Sequence, residues 1–222
     1  MEKVLIYCQQ PRKVLLLMEL LNFIGRFINY TSVSLLFFGI FIAAFKKHSK
    51  NKLIVIYLIG LFLSESIGLY LRQGSLILLT ISFFIHFVCL THFYDIKTFK
   101  IKCTLMLLGV LPLLLHCTTD NSLVWLQHYA RVPYSLIISL CSLGYFYALM
   151  MGKLQNIPSR NILNGSILLF FTIDAFLGTA NPYLVKREYL DLVAWFWFFR
   201  AIFLEFFYVA LIYYGWKLPK ET

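Results

Sequence analysis

Seven stretches of this 222-residue chain stay almost wholly apolar over 16–23 residues: 30–45, 53–71, 75–94, 102–118, 133–151, 162–180 and 192–214. A hydrocarbon core about 30 Å thick is crossed by about 20 residues at a helical rise of 1.5 Å each. Backbone groups in lipid must bond within their own segment, so each stretch reads as a transmembrane helix. Residues 14–28, VLLLMELLNFIGRFI, fit either a short extra span or an amphipathic helix lying at the interface. The expectation is an all-α fold, a polytopic transmembrane helical bundle of seven to eight helices. Residues 1–29 form its N-terminal segment, interfacial or a short span, and 30–222 the bundle.

Composition agrees. The chain is 60% hydrophobic and 14% charged, against about 45–50% and about 25% in a soluble domain. Its net charge of +10 could suggest nucleic-acid binding, but the basic residues sit at the ends of apolar stretches and form no continuous patch. One set of connections, 46–52, 95–102, 152–161 and the tail after 214, carries eleven Lys and Arg, and the alternate set carries four. Positive residues stay cytoplasmic, which puts the C-terminus inside and suits a bacterial inner membrane. The first apolar run carries Glu19 and Arg26 and lacks a small-residue cleavage site, so it does not read as a cleavable signal. The five cysteines lack CxxC spacing and read as small buried hydrophobes. No oligomeric state can be read from the sequence, and no internal repeat points to a transporter of inverted halves.

Charged residues inside the apolar stretches carry the functional signal. Asp174 is the sole charged residue of SILLFFTIDAFLGTA, 166–180. A carboxylate there costs several kcal/mol unless a partner or a wet cavity receives it. Counted from the helix ends, Glu65 and Asp174 lie about 12 Å below the outer boundary, Arg200 about as deep and His86 about 16 Å. Four ionisable groups on four helices are thus expected near one level in the outer half of the bilayer. Glu205 lies about 140° round its helix from Arg200 and shares no face with it. His92, Asp95, His116 and Asp120 fall at helix ends and read as interfacial, and WFWFF at 195–199 reads as lipid contact. The histidines contain no HxxxH pair, the last span holds no lysine for a retinal Schiff base, and no GxSxG elbow occurs. Neither a metal nor a cofactor is expected.

Three segments are similar to motifs of the YhhN-like family of membrane proteins, the lysoplasmalogenases. GLFLSESIGLYL, 60–71, resembles the family's G-L-x-x-S-L-x-G-D-x-L-L through Gly60, Leu61 and Ser64. Gly68 stands where the family has its acid, with Glu65 about one turn earlier. SFFIHFVC, 82–89, resembles F-F-x-x-H-x-x-Y through Phe83 and His86, with Cys89 at the tyrosine. GSILLFFTID, 165–174, resembles G-A-x-L-F-x-x-S-D through Phe170 and Asp174, with Ile173 at the serine. The family's closing Y-Y-x-A-Q-x-L-I has no clear counterpart in 195–212, although Arg200 or Glu205 stands near its glutamine.

The resemblance implies a bundle of about eight spans that hydrolyses the vinyl ether bond of lysoplasmalogens through two intramembrane acids. Glu65 and Asp174 are then the acid/base pair, with His86 beside them. Arg200 and Glu205 would contact the lipid substrate. The chemistry is sound for these residue types: one neutral carboxyl protonates the alkene carbon, and an ionised one stabilises the oxocarbenium ion and activates water. The other function left open by the sequence is a non-catalytic carrier or sensor subunit that binds a lipid or small molecule.

Overall fold

The computed structural model describes residues 12–45, 49–71, 76–94, 110, 132–186 and 189–217. Six helices are described: α1 Arg12–Ala44, α2 Ser49–Leu71, α3 Leu76–Phe93, α4 Val132–Met150, α5 Pro158–Lys186 and α6 Leu190–Lys217. Five of them, all but α3, are long and apolar enough to cross a membrane. The chain is therefore an all-helical integral membrane bundle. α3 contributes a shorter apolar stretch, Ile81–Thr91. Of the expected span at 102–118 only residue 110 is described, and the count of seven to eight is not established by the six.

No break separates residues 14–28 from the first expected span. α1 runs on for 33 residues, because nothing between Arg12 and Ala44 interrupts it: the segment holds no proline. At 1.5 Å per residue it is about 50 Å long, well beyond a hydrocarbon core of about 30 Å. The boundary drawn at residue 29 thus falls inside one helix.

Local chemistry sets the other ends. α4 stops at Gly152, whose φ of +68° is the left-handed conformation that only glycine adopts cheaply. The Gly152 amide donates to the Leu149 carbonyl and the Lys153 amide to that of Ala148, the paired bonds of a Schellman cap. Pro158 then opens α5 at the first helical position, where its missing N–H goes unused.

Among the described residues, each helix packs mainly against two others. α1 lies against α2 and α6, α3 against α2 and α4, and α5 against α4 and α6, so the contacts close into a ring. Apolar side chains point both ways. On α6, Phe199, Ile202, Phe206 and Val209 face outward while Arg200, Leu204, Phe207 and Leu211 face the interior. These sets keep helical spacing on opposite sides of one helix. A helix with apolar residues on both sides belongs in lipid, and its buried polar residues mark the inward face.

Candidate functional site: a polar column inside the bundle

Asp174 lies on the buried stripe of α5, Leu163–Ile167–Phe170–Asp174–Leu177, at i, i+4, i+7, i+11 and i+14. Its residue is 0% exposed. Arg200 Nε of α6 donates to Asp174 Oδ1 at 2.5 Å, and Ser135 Oγ of α4 donates to Oδ2 at 3.0 Å. Three helices are thereby joined through one carboxylate. The Arg200 guanidinium carbon also sits over three rings, 5.1 Å from the centroid of Trp197, 5.3 Å from Phe170 and 5.9 Å from Phe83. Charge is received here by a counter-ion and by aromatic faces, each of which offsets the loss of water.

His86 is buried on α3 and shares a 2.5 Å hydrogen bond between its Nδ1 and Tyr57 Oη of α2. Rings enclose it: Phe171 at 5.4 Å, Phe207 at 5.6 Å, Phe83 at 5.9 Å and Phe170 at 6.3 Å between centroids. Phe83 and Phe170 thus pack against both the imidazole and the guanidinium.

Glu65 is half-buried on α2, eight residues beyond Tyr57. Tyr208 Oη of α6 donates to its Oε1 at 2.9 Å, and Arg200 is near enough to interact with it electrostatically. Glu205 faces elsewhere. Ser32 Oγ of α1 donates to its Oε1 at 2.6 Å, and Thr31 Oγ1 lies 3.1 Å from the same oxygen.

The structure therefore joins Asp174 to Arg200 directly and seats His86 behind the rings they share. Glu65 and Asp174 are held by separate partners, Tyr208 and Arg200, two turns apart on α6 (about 12 Å of helical rise). The acids form a column along the interior, served from different turns of α6. Glu205 is hydrogen-bonded towards α1, in keeping with its angle from Arg200, and lies near enough to Glu65 for the two charges to interact. The side chain of His92 lies outside the described residues, as do Asp95, His116 and Asp120. Among the described residues no group of three His, Cys, Asp or Glu could hold a metal, and Cys89 and Cys141 are free thiols.

Sequence reasoning missed the neutral partners Tyr57, Tyr208, Ser135 and Ser32. The signal was present for Tyr208, which sits one residue from the Arg200–Leu204–Phe207–Leu211 stripe. Tyrosines and serines within spans are common, and only their opposing charges single these out.

No family model matches the chain, and neither a curated protein nor a solved structure does.

Proposed function

We propose that the protein is an intramembrane hydrolase that opens a lipid vinyl ether, or a closely related lipid bond, by carboxylic acid/base catalysis. The observation that carries this reading is the contrast between the two acids. Asp174 is bound by a guanidinium and a hydroxyl, an arrangement that favours the charged carboxylate. Glu65 is hydrogen-bonded only by a neutral phenol among the described residues, with the Arg200 guanidinium paired to Asp174 and acting on it from further off, and it is the more exposed of the two. Acid/base hydrolysis asks for such a division: a carboxyl able to give up a proton and a carboxylate held negative. In this reading Glu65 protonates the alkene carbon of the substrate. Asp174 supplies the negative charge that the oxocarbenium ion needs, and Arg200 holds Asp174 in place and offers charge to a lipid phosphate. His86, behind its rings, positions Phe83 and Phe170 and does not meet substrate; Glu205 fixes α6 to α1.

The likeness of 60–71, 82–89 and 165–174 to YhhN-like motifs supports the same chemistry. The excess of basic residues on one set of connections supports a bacterial inner membrane with the C-terminus in the cytoplasm. Purified protein incubated with lysoplasmalogen in proteoliposomes should release a fatty aldehyde, and Asp174→Asn should abolish it. Unchanged turnover in Asp174→Asn sinks the assignment.

One observation favours a second reading. The acids have separate partners, and the Phe170 and Phe207 rings, stacked 5.9 Å apart, fill interior space near both. A non-catalytic carrier or sensor subunit, with α6 as the common strut, would show binding of the same lipid without aldehyde.

A further inference from the structure

A second polar cluster lies where α3, α4 and α6 end and α5 begins. Arg160, two residues into α5, holds its guanidinium carbon 5.2 Å from the Tyr145 ring centroid and 5.5 Å from that of Phe93. Phe93 in turn packs on Tyr214 at 5.2 Å and on Tyr94 at 5.6 Å, and both tyrosines feel the Arg160 charge. Among the described residues no carboxylate pairs with this guanidinium, and its buried Nε has no hydrogen-bond partner. Two neighbours share that condition. Asn164, one turn along α5 and 0% exposed, gives its Nδ2 to the Arg160 carbonyl at 2.8 Å and leaves Oδ1 without a donor. Tyr94 Oη is buried and makes no hydrogen bond within 3.5 Å, although the Ser142 hydroxyl lies close enough to interact with it.

Buried polar atoms are rarely left unmatched, and three around one unpaired cation call for a common explanation. We infer that this cluster binds a phosphate-bearing anion. Arg160 Nε and Tyr94 Oη donate to its oxygens, and Asn164 Oδ1 accepts from a hydroxyl or ammonium group carried beside the phosphate. The aromatic walls leave the guanidinium weakly hydrated and fix its plane, which suits it to phosphate. The level fits as well, since Tyr145 and Tyr214 lie within two turns of their helix ends, where a lipid headgroup would sit. This site is independent of the ether-hydrolase reading and is tested by binding alone.

The test measures thermal unfolding of the full chain in two arms: in detergent with inorganic phosphate against chloride, and in nanodiscs of phosphatidylglycerol against phosphatidylcholine. Stabilisation in the first arm identifies a soluble phosphate and stabilisation confined to the second a lipid headgroup. In either, Arg160→Gln should raise the half-saturating concentration by roughly tenfold or more, as expected for loss of a charge-assisted donor. Tyr94→Phe should weaken binding with no change in charge, while Lys153→Gln, at an exposed loop position, should bind as the wild type does. If phosphate and phosphatidylglycerol leave the wild type unchanged, or stabilise all four proteins equally, the site does not exist. If instead Asp95→Asn destabilises a phosphate-indifferent protein, the missing charge is Asp95 and the proposal fails.

Discussion

Arg200 and Asp174 depend on each other more than either depends on the rest of the bundle. Removing one partner of a buried ion pair leaves an uncompensated charge and costs about 3–5 kcal/mol. Arg200→Met should lose about that much, measured by unfolding in mixed micelles. Arg200→Met/Asp174→Asn should recover most of it, because neither charge then remains unpaired. Tyr208→Phe removes the hydrogen bond on the half-buried Glu65 and should cost about 0.5–1.5 kcal/mol by the same assay, the net worth of one hydrogen bond to a partly exposed acceptor. The sequence made Asp174 and Arg200 legible as residues that need partners, because charge in an apolar stretch is conspicuous. It did not reveal that Glu65 would be answered by a phenol two turns from Arg200, since a tyrosine is at home in any span. Depth counted along separate helices also says nothing of which partner each side chain reaches, so the separate partners of Glu65 and Asp174 were not legible from it.

Elements pack as their small residues allow. A Cβ built on Gly39 of α1 would lie 2.7 Å from both Cγ1 and Cδ1 of Ile212 on α6, so these helices approach as closely as a bare backbone permits. Gly39→Ala should already lower the unfolding midpoint, because Cγ1 is fixed one bond from the Ile212 Cβ and a β-branched side chain has one favoured rotamer in a helix. Gly39→Leu should destabilise the bundle by about 1–3 kcal/mol through overpacking, and adding Ile212→Ala should relieve part of that loss, read as a rise in unfolding midpoint. The same contact bears on the site, because α6 carries the partners of both acids. Helix identity was visible in the apolar runs. The length of α1 was not: its N-terminal half has mixed polarity, and helix continuity there follows from the absence of any breaker, with polarity saying little.

The six described helices close into a ring whose buried ionisable groups point inward and whose outer face is largely apolar. If the basic connections face the cytoplasm, as proposed, a fluorescent protein fused after Thr222 should fluoresce and an alkaline phosphatase fused there should be inactive. The reverse pattern would invert the bundle and put its acids in the other leaflet. The proposed chemistry has Glu65 deliver a proton to the alkene carbon of a lipid vinyl ether. Hydrolysis of lysoplasmalogen in heavy water reads that step directly, because the proton added to carbon becomes the deuteron next to the aldehyde. The protein should release an aldehyde carrying one deuterium at the carbon adjacent to the carbonyl, with Glu65→Gln slowing release by about 10²-fold or more, the usual contribution of a general acid. No aldehyde above an empty-vesicle control, or release unchanged in Glu65→Gln, would contradict the account.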